Sequence, residues 1–429
     1  MGTGPLSGIR VLEFSVIYAA PFAGMNLADL GADVIKVEAE GGEAFRHQGA
    51  VVPGHGKTFM WLNRGKRGLC LNLRDPRGQE AIHRLVATTD VVLINYRPGV
   101  PQRLRIDYET LSAIRPDLVY ADIAGFGKQG PLAGDAASDI VAQAYGGAIA
   151  LDAKLDDDGA PVSIGVAIAD LSTGLAIAMG ISAALYHRAM TGEGQYLSAA
   201  LVRTVMALSG VSVLREPVHD AVLREPLIAT MNRVRESGGS YAELIQSRTA
   251  GRGLLGAAFT LYYGGYRVKD GGVVLGALTP ANRDAFRRVL GIEDDDSDTP
   301  DYDARDPENI AKALRLRDRI RALMKTKTVA EWMALFREAG APAGPVNFPE
   351  ELADDPQAAT LMVDLEHELT GWQKQVAPVV DMSRTPTAIP RGSPGLGQHT
   401  DEILQSIGYT PDEIRALHTD RVAFGPAVD

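Results

Sequence analysis

Short apolar runs alternate with helical spacing through the first third of the chain. Five runs have the composition of buried strands: residues 8–14, 32–38, 69–73, 91–94 and 118–123. Between two of them, residues 79–87 carry apolar positions at helical spacing. Strands that alternate with helices need crossover connections, so the sequence predicts an α/β fold with a mainly parallel sheet. Ligands of such a sheet bind at the carboxyl ends of its strands.

A long apolar segment, residues 171–190, predicts a further helix, and residues 196–208 predict a strand or the start of another helix. A membrane-spanning helix needs about 20 mainly apolar residues. This segment is interrupted by Ser172, Gly174, Gly180 and His187. We therefore expect a buried helix, no membrane span and a cytoplasmic protein.

The pattern changes in the second half of the chain. A hairpin is predicted at residues 266–274, and helices at 281–290, 309–324 and 329–339. We expect a smaller α+β domain over residues 225–350. The large domain would then comprise residues 1–224 and be completed by residues 351–429.

Composition narrows the classes of function. The 429 residues carry a net charge of −11, which argues against nucleic acid as a partner. Cys70 is the single cysteine, and the eight histidines are scattered without the spacing of a metal site. The first residues have no basic segment followed by an apolar one, so we expect no secretory signal. The sequence predicts no bound metal.

Charge is distributed unevenly along the chain. Residues 63–105 contain nine basic side chains against three acidic ones, which suits a polyanionic small molecule. Residues 293–308 contain nine acidic side chains against Arg305 alone, and we expect this segment to be a solvated loop.

Several stretches together resemble one known family more specifically than any of them does alone. They lie at residues 5–13, 27–38, 63–67, 71–74, 95–99, 139–143, 191–195, 341–346 and 396–402, with Arg103, Asp170, Thr173 and Gly174 between them. With this set the chain resembles the class III (CaiB/BaiF-type) CoA-transferases. That family includes formyl-CoA transferase, the carnitine CoA-transferase and the α-methylacyl-CoA racemases.

The resemblance implies a fold and a reaction. The fold is a Rossmann-like large domain formed from both chain ends, a smaller domain between them, and an interlocked homodimer. The reaction is the transfer of CoA from an acyl-CoA to a carboxylic acid, without a metal. Asp170 matches the family's nucleophile, which attacks the thioester to give a mixed anhydride and then an aspartyl-CoA thioester.

The resemblance also implies which residues bind CoA. Leu71, Asn72, Leu73 and Arg74 should line the adenine end, and Asn95, Tyr96, Arg97 and Arg103 should hold phosphate or pantetheine. Asp139 matches a position near the pantetheine arm. Arginine suits this role because its planar group pairs bidentately with phosphate oxygens.

Asp170 and the basic residues each allow a plainer interpretation. Asp170 directly precedes an apolar helix, where aspartate often serves as an N-cap. The basic residues could form no more than a solvated face.

The reaction is also open to competing hypotheses. Glutamine and arginine of the formyl-CoA enzyme are replaced here by Tyr18 and Glu40, which disfavours formate and oxalate as substrates. An α-methylacyl-CoA racemase is a second hypothesis, but residues 130–147 contain no histidine to match that branch's acid/base residue. A CoA-ester-binding protein without turnover is a third.

Overall fold

The strands of the protein are short, and they occur throughout residues 4–426, the part of the chain that this computed structural model describes. The side chains of residues 251–255 also lie outside the description. In chain order the strands are β1 (Arg10–Phe14), β2 (Asp33–Glu38), β3 (Arg67–Leu71), β4 (Val91–Ile94), β5 (Val119–Ala124), β6 (Tyr196–Ala200), β7 (Tyr263–Arg267), β8 (Gly272–Gly276), β9 (Ala343–Pro345), β10 (Met362–His367), β11 (Gly371–Val376) and β12 (Ala423–Phe424).

The helices range from single turns to one helix of 24 residues. In chain order they are α1 (Ala19–Asp29), α2 (Lys57–Leu62), α3 (Pro76–Val86), α4 (Val100–Leu104), α5 (Tyr108–Ser112), α6 (Asp139–Tyr145), α7 (Ala148–Asp152), α8 (Ile168–Thr191), α9 (Leu201–Leu208), α10 (Gly210–Val213), α11 (Pro217–His219), α12 (Glu225–Glu236), α13 (Tyr241–Leu255), α14 (Pro280–Leu290), α15 (Pro307–Met324), α16 (Val329–Glu338), α17 (Thr400–Ser406) and α18 (Pro411–Thr419).

Contacts between residues divide the chain into two compact units. The first unit comprises the residues up to Lys154, Pro161–Leu214 and the residues from Thr360 onward. The second comprises Leu155–Ala160 and Arg215–Ala359. A division by contacts does not test independent folding, so the expected domain boundaries at 225 and 350 stay a prediction.

The first unit contains a seven-stranded sheet in the order β12-β3-β2-β1-β4-β5-β6. All neighbouring pairs are parallel except β12 with β3, which is antiparallel. The chain runs from β1 outward through β2 to β3, and then returns to add β4, β5 and β6 on the other side of β1. The predicted α/β fold class is confirmed, and the order of strands reverses between β1 and β4.

Apolar side chains cover both faces of this sheet. One buried cluster joins β1, β4 and β5 to α1 and α8, with Val11, Leu27 and Ile181 among its members. The other joins the opposite face to α3, α17 and α18, with Leu12 and Ile403 among its members. Strand β4 is buried along its whole length, as expected of a central parallel strand.

Helix α8 begins at Ile168 and packs against α1. Glycine allows the close approach, since a Cβ at Gly174 would lie 2.7 Å from the carbonyl oxygen of Ala19. The other side of α8 exposes Leu175, Met179, Tyr186 and Met190, so the expected buried helix is buried on one side only within this chain.

Length and hydropathy alone would also allow α8 to span a membrane, but half of its most apolar 18-residue stretch is buried within the protein. Core helices of soluble proteins pass the same test. The expected absence of a membrane span and the cytoplasmic location stay predictions. The interlocked homodimer also stays a prediction, since the structure describes one chain.

The second unit has its own core. Strands β7, β8 and β9 form an antiparallel sheet. Its buried cluster includes Tyr262, Phe286, Ile320 and Trp332. The hairpin and the three helices expected here are present, as β7–β8 and as α14, α15 and α16.

One sequence expectation is wrong within the acidic segment 293–308. The Asp295 side chain is only 2% exposed, and its carboxylate pairs with Arg287 of α14 at 2.8 Å. Arg287 also pairs with Asp298 at 2.7 Å. Part of the segment is therefore packed against a helix instead of solvated.

We predict opposite effects of alanine at two glycines of α8. Gly174→Ala should lower the free energy of unfolding by about 1–3 kcal/mol, because its Cβ would meet the Ala19 carbonyl and the Phe22 ring. Gly180→Ala is the matched control and should raise it by up to about 1 kcal/mol, since no atom lies within 4 Å of the position that its Cβ would take. Denaturant titration measures both, and equal effects would contradict the packing described.

Candidate active site at the carboxyl ends of the strands

Loops that follow β1, β4 and β5 converge where the strand order reverses. They contribute Val16–Ala19, Asn95–Val100 and Ile123–Gly125 to the lining of a cavity of about 670 Å³. Asp170 lines the same cavity, which we call the Asp170 cavity. Ligands of open parallel sheets bind at such a reversal point. The expected nucleophile therefore lies where this fold places ligands.

Asp170 lies inside the first turn of α8 and does not cap the helix. The residue at the N-cap position is Ala167, whose side chain accepts no hydrogen bond. The backbone N–H of Asp170 instead donates to Oδ1 of Asp139 at 3.0 Å. The N-cap alternative for Asp170 is thus wrong. Asp139, which belongs to α6, accepts the hydrogen bond of this N–H at the start of α8.

Gln143, one turn after Asp139 in α6, fixes the Asp139 carboxylate. Its Nε2 donates to Oδ2 of Asp139 at 2.5 Å and to the Val166 carbonyl at 3.2 Å. Its Oε1 accepts from the Ile164 N–H at 3.0 Å. Gln143 is buried. It ties α6 to the segment that leads into α8. Sequence reasoning matched this glutamine to a family motif but gave it no role.

The surroundings of Asp170 disfavour its negative charge. The residue is 8% exposed. Burial, and secondarily the charge of Asp139, raises the pKa of Asp170 to about 7. A carboxylate with a raised pKa is a stronger nucleophile once ionised, but a larger fraction of it is protonated near neutral pH.

A second cavity, of about 470 Å³, lies at the ends of β2 and β3, and we call it the Arg103 cavity. Six of the expected CoA-binding residues line it: Leu71, Asn72, Leu73, Arg74, Tyr96 and Arg103. Tyr96 and Val100 line both cavities, so the two cavities share a wall. The side chains of Leu71 and Leu73 are buried in the core.

Ion pairs divide the nine basic side chains of residues 63–105 into two groups. The paired group has carboxylate partners at 2.5–3.0 Å and comprises Arg64, Lys66, Arg67, Arg77 and Arg84. Among the residues that the structure describes, the other group has no ion-pair partner and comprises Arg74, Arg97, Arg103 and Arg105. Arg74, Arg97 and Arg103 line the cavities. The alternative of a uniformly solvated basic face is therefore wrong.

The loop between β1 and α1 is held from two sides. Asn95 accepts from the Val16 N–H at 3.0 Å and donates to its carbonyl at 2.8 Å. Its amide is thus occupied by backbone, where the resemblance implied phosphate or pantetheine. Glu43 accepts from the N–H of Ile17 at 2.8 Å. Ile17 has a φ of 69°, a strained conformation for a β-branched residue.

A network of buried charged side chains contacts Glu43, which holds this loop. Lys66 contacts Glu13 at 2.9 Å, and Lys36 contacts Glu13 at 3.5 Å and Glu43 at 3.6 Å. Burial lowers the pKa of Lys66 to about 8, against the raising effect of Glu13. Removing one member would leave an uncompensated buried charge. The network therefore fixes the position from which Glu43 accepts the hydrogen bond of the Ile17 N–H.

The expected site residues thus fall into three places. Asn95, Tyr96, Arg97 and Asp170 line the first cavity, and the residues of β3 and its following turn line the second together with Arg103. Asp139 is absent from both linings and contacts the backbone of Asp170. Within the described chain, no group of three or more His, Cys, Asp or Glu side chains is placed to hold a metal.

The chain is similar to known proteins over most of its length. The model of CoA-transferase family III matches residues 6–400. Succinate–glutarate CoA-transferase of Agrobacterium fabrum is 34% identical over 94% of this chain and 96% of its own. Formyl-CoA:oxalate CoA-transferase of Rhodopseudomonas palustris is 33% identical over 97% and 96%. A CaiB/BaiF family protein from Brucella suis is 29% identical over 94% of this chain and 99% of its own, with a TM-score of 0.72.

The chain therefore belongs to CoA-transferase family III and is an enzyme of that family. The resemblance noted in the sequence is confirmed.

We predict that Asp139→Asn shifts the ionisation of Asp170. Asparagine keeps an oxygen for the Asp170 N–H but removes a like charge, so the pKa of Asp170 should fall from about 7. Reaction through the ionised form of Asp170 would then move the acidic limb of kcat/KM to lower pH, by about one unit at most because burial is the larger cause of the shift, with the plateau at high pH less affected.

Asp158→Asn makes the same change at an exposed position that lines neither cavity; it is the control and should leave that limb in place. An unmoved limb in Asp139→Asn would contradict the electrostatic role given to Asp139.

Proposed function

We propose that this enzyme moves CoA between carboxylic acids and that Asp170 is its nucleophile. One observation carries the proposal: the buried Asp170 carboxyl lines a cavity that shares Tyr96 and Val100 with a second cavity, and that second cavity bears two arginines without an ion-pair partner in the part of the chain that the structure describes. Transfer of an acyl group from a thioester needs a nucleophile, and the phosphates of the CoA nucleotide need cations to pair with. The Asp170 carboxyl and the two arginines lie along one groove at the strand ends.

The Arg103 cavity would hold the nucleotide end of CoA. Arg74 and Arg103 also border a further space of about 490 Å³, so their charges face the same region. Two guanidinium groups without carboxylate partners suit phosphate oxygens. Adenine would lie against the turn at Asn72 and Leu73, and the pantetheine arm would pass Tyr96 toward Asp170.

Four acyl transfers account for the reaction, with atoms balanced at each. The Asp170 carboxylate attacks the thioester carbonyl, which gives a mixed anhydride and releases CoA thiolate. The thiolate attacks the Asp170 carbonyl, which gives an aspartyl-CoA thioester and frees the donor acid. The acceptor carboxylate attacks that thioester to form a second anhydride and CoA thiolate. The thiolate then attacks the acceptor's carbonyl, forming the new acyl-CoA and freeing Asp170.

The side chains around Asp170 suit this sequence. Burial excludes water that would hydrolyse an anhydride or an aspartyl thioester. The raised pKa of Asp170, about 7, makes its carboxylate a stronger nucleophile than an exposed one. Asp139 and Gln143 hold the first turn of α8 in place, so the backbone that carries the Asp170 carboxylate keeps its position through four transfers.

We predict that Asp170→Ala folds but loses at least about 10³-fold in CoA transfer, since the covalent route is removed. Incubation of the enzyme with acyl-CoA and hydroxylamine should convert Asp170 to a hydroxamate, detected by mass spectrometry of the peptide. Asp158→Ala, at an exposed loop position, is the matched control and should retain turnover.

Ordinary transfer by Asp170→Ala would overturn the mechanism. Incorporation of deuterium from heavy water at the α-carbon of an acyl-CoA, without any acceptor acid, would support the racemase hypothesis instead. If none of the acyl-CoAs tested gives a hydroxamate at Asp170, the result would support a binding protein without turnover.

We predict that Arg103→Ala and Arg74→Ala each raise the KM for acyl-CoA about tenfold or more with little change in kcat, because uniform binding is lost. Arg77→Ala is the control, since Arg77 is paired with Asp75 and Asp420 and lines neither cavity. Steady-state kinetics separates these effects. Equal KM values for all three variants would contradict the assignment of the nucleotide end.

A further inference from the structure

Much of the lining of the Asp170 cavity is apolar. Apolar lining side chains come from the β1–α1 loop, from the start of α1, from β5, from α6 and from the start of α9: Ile17, Tyr18, Ala19, Ile123, Val141 and Leu201. An acyl group attached to Asp170 would extend into this cavity. Such walls favour apolar groups, because filling them removes apolar surface from water.

Few charged side chains are available to a second carboxylate. Among the side chains that line this cavity, all within the described residues, the charged ones are Arg97, Asp135 and Asp170. Arg97 is exposed and lies on the β4 loop next to Tyr96, toward the shared wall. Asp135 is acidic and would repel a further anion, whereas Asp170 carries no charge while an acyl group is attached to it. The Asn95 amide is occupied by the Val16 backbone.

Tyr18 forms a preset part of the apolar wall. Its ring packs edge-on against Phe45, with centroids 4.9 Å apart, and against Trp61 at 6.3 Å. The two residues before it are also held. Asn95 accepts a hydrogen bond from the N–H of Val16, and Glu43 accepts one from the N–H of the strained Ile17. A ring fixed in this way selects substrates by shape, since it loses little freedom on binding.

We propose that the enzyme accepts a monocarboxylic acid with an apolar body, branched or aromatic, and that Tyr18 determines this specificity. The inference rests on the proposed function, since it concerns the acid whose acyl group reaches Asp170. A dicarboxylic acid would place a second anion among apolar and acidic side chains without a dedicated cation, which is costly. Discrimination between acids in an apolar pocket is typically about 10–200-fold per methylene group.

The full-length enzyme tests this with two sets of acids and their CoA esters. Isovalerate and phenylacetate represent apolar monocarboxylic acids, and succinate, glutarate and oxalate represent dicarboxylic acids. Mass spectrometry follows the CoA esters formed, and hydroxylamine trapping follows the modification of Asp170. We expect kcat/KM for the apolar acids to exceed that for the dicarboxylic acids at least tenfold.

The two readouts separate this inference from the proposed function. Trapping at Asp170 with equal or better turnover of the dicarboxylic acids would overturn the inference and leave the proposed function standing. If no CoA ester modifies Asp170, both fall.

Tyr18 variants test the specificity assignment. Tyr18→Gln replaces the ring by an amide and should lower the preference for apolar acids at least tenfold, mainly through their KM. Tyr18→Phe keeps the ring and should keep the preference. Tyr145→Gln is the matched control, because Tyr145 is 62% exposed and does not line the cavity.

Thermal melting checks that each variant folds. A Tyr18→Gln variant that is folded but loses turnover equally with all acids would overturn the specificity role. An unchanged preference would do so as well.

Discussion

A hydrogen bond from the backbone of Asp170 to a neighbouring carboxylate holds the start of α8 in the candidate site. The Asp170 N–H donates to Asp139 at 3.0 Å, which fixes the first turn of α8 and at the same time places a like charge beside Asp170. Burial is the larger cause of the raised pKa of Asp170, and the charge of Asp139 adds to it. Gln143 keeps Asp139 in place through its own hydrogen bonds. The position of Asp170 and part of its electrostatic environment thus depend on one short chain of polar side chains.

The Arg103 cavity depends on a different property, which is the pairing of charges. Lysines and arginines of residues 63–105 that have carboxylate partners serve the fold, as Arg64 does with Asp29. Arginines that lack partners within the described chain lie at the cavities, as Arg74 and Arg103 do. A basic patch on an acidic protein is in this way reduced to a few side chains with free hydrogen-bonding capacity.

Much of the sheet could be predicted from the sequence, because buried parallel strands are short apolar runs, as in β4, where the predicted and observed bounds coincide. The β10–β11 hairpin could not, since Met362–His367 and Gly371–Val376 mix apolar and charged residues in two half-exposed strands. The small residues of α1 gave no helical period, because this helix is buried all round.

Family motifs identified Asp170 and Asp139, and their roles stay a proposal. No sequence pattern predicts that Asn95 clamps Val16, which is 79 positions away in the chain. The same holds for the Gln143 contact with residues 164 and 166. These contacts arise only when the strand ends come together in space.

The antiparallel pairing of β12 with β3 has a consequence for biosynthesis. Ala423 pairs with Leu71, and Thr400 accepts from the N–H of Cys70, so an edge strand made early is covered only by residues made late. While the ribosome adds the intervening residues, β3 presents open backbone groups to other chains. Such long-range closure slows folding. Until the last strand emerges, β3 is therefore an edge at which the nascent chain can pair with another chain.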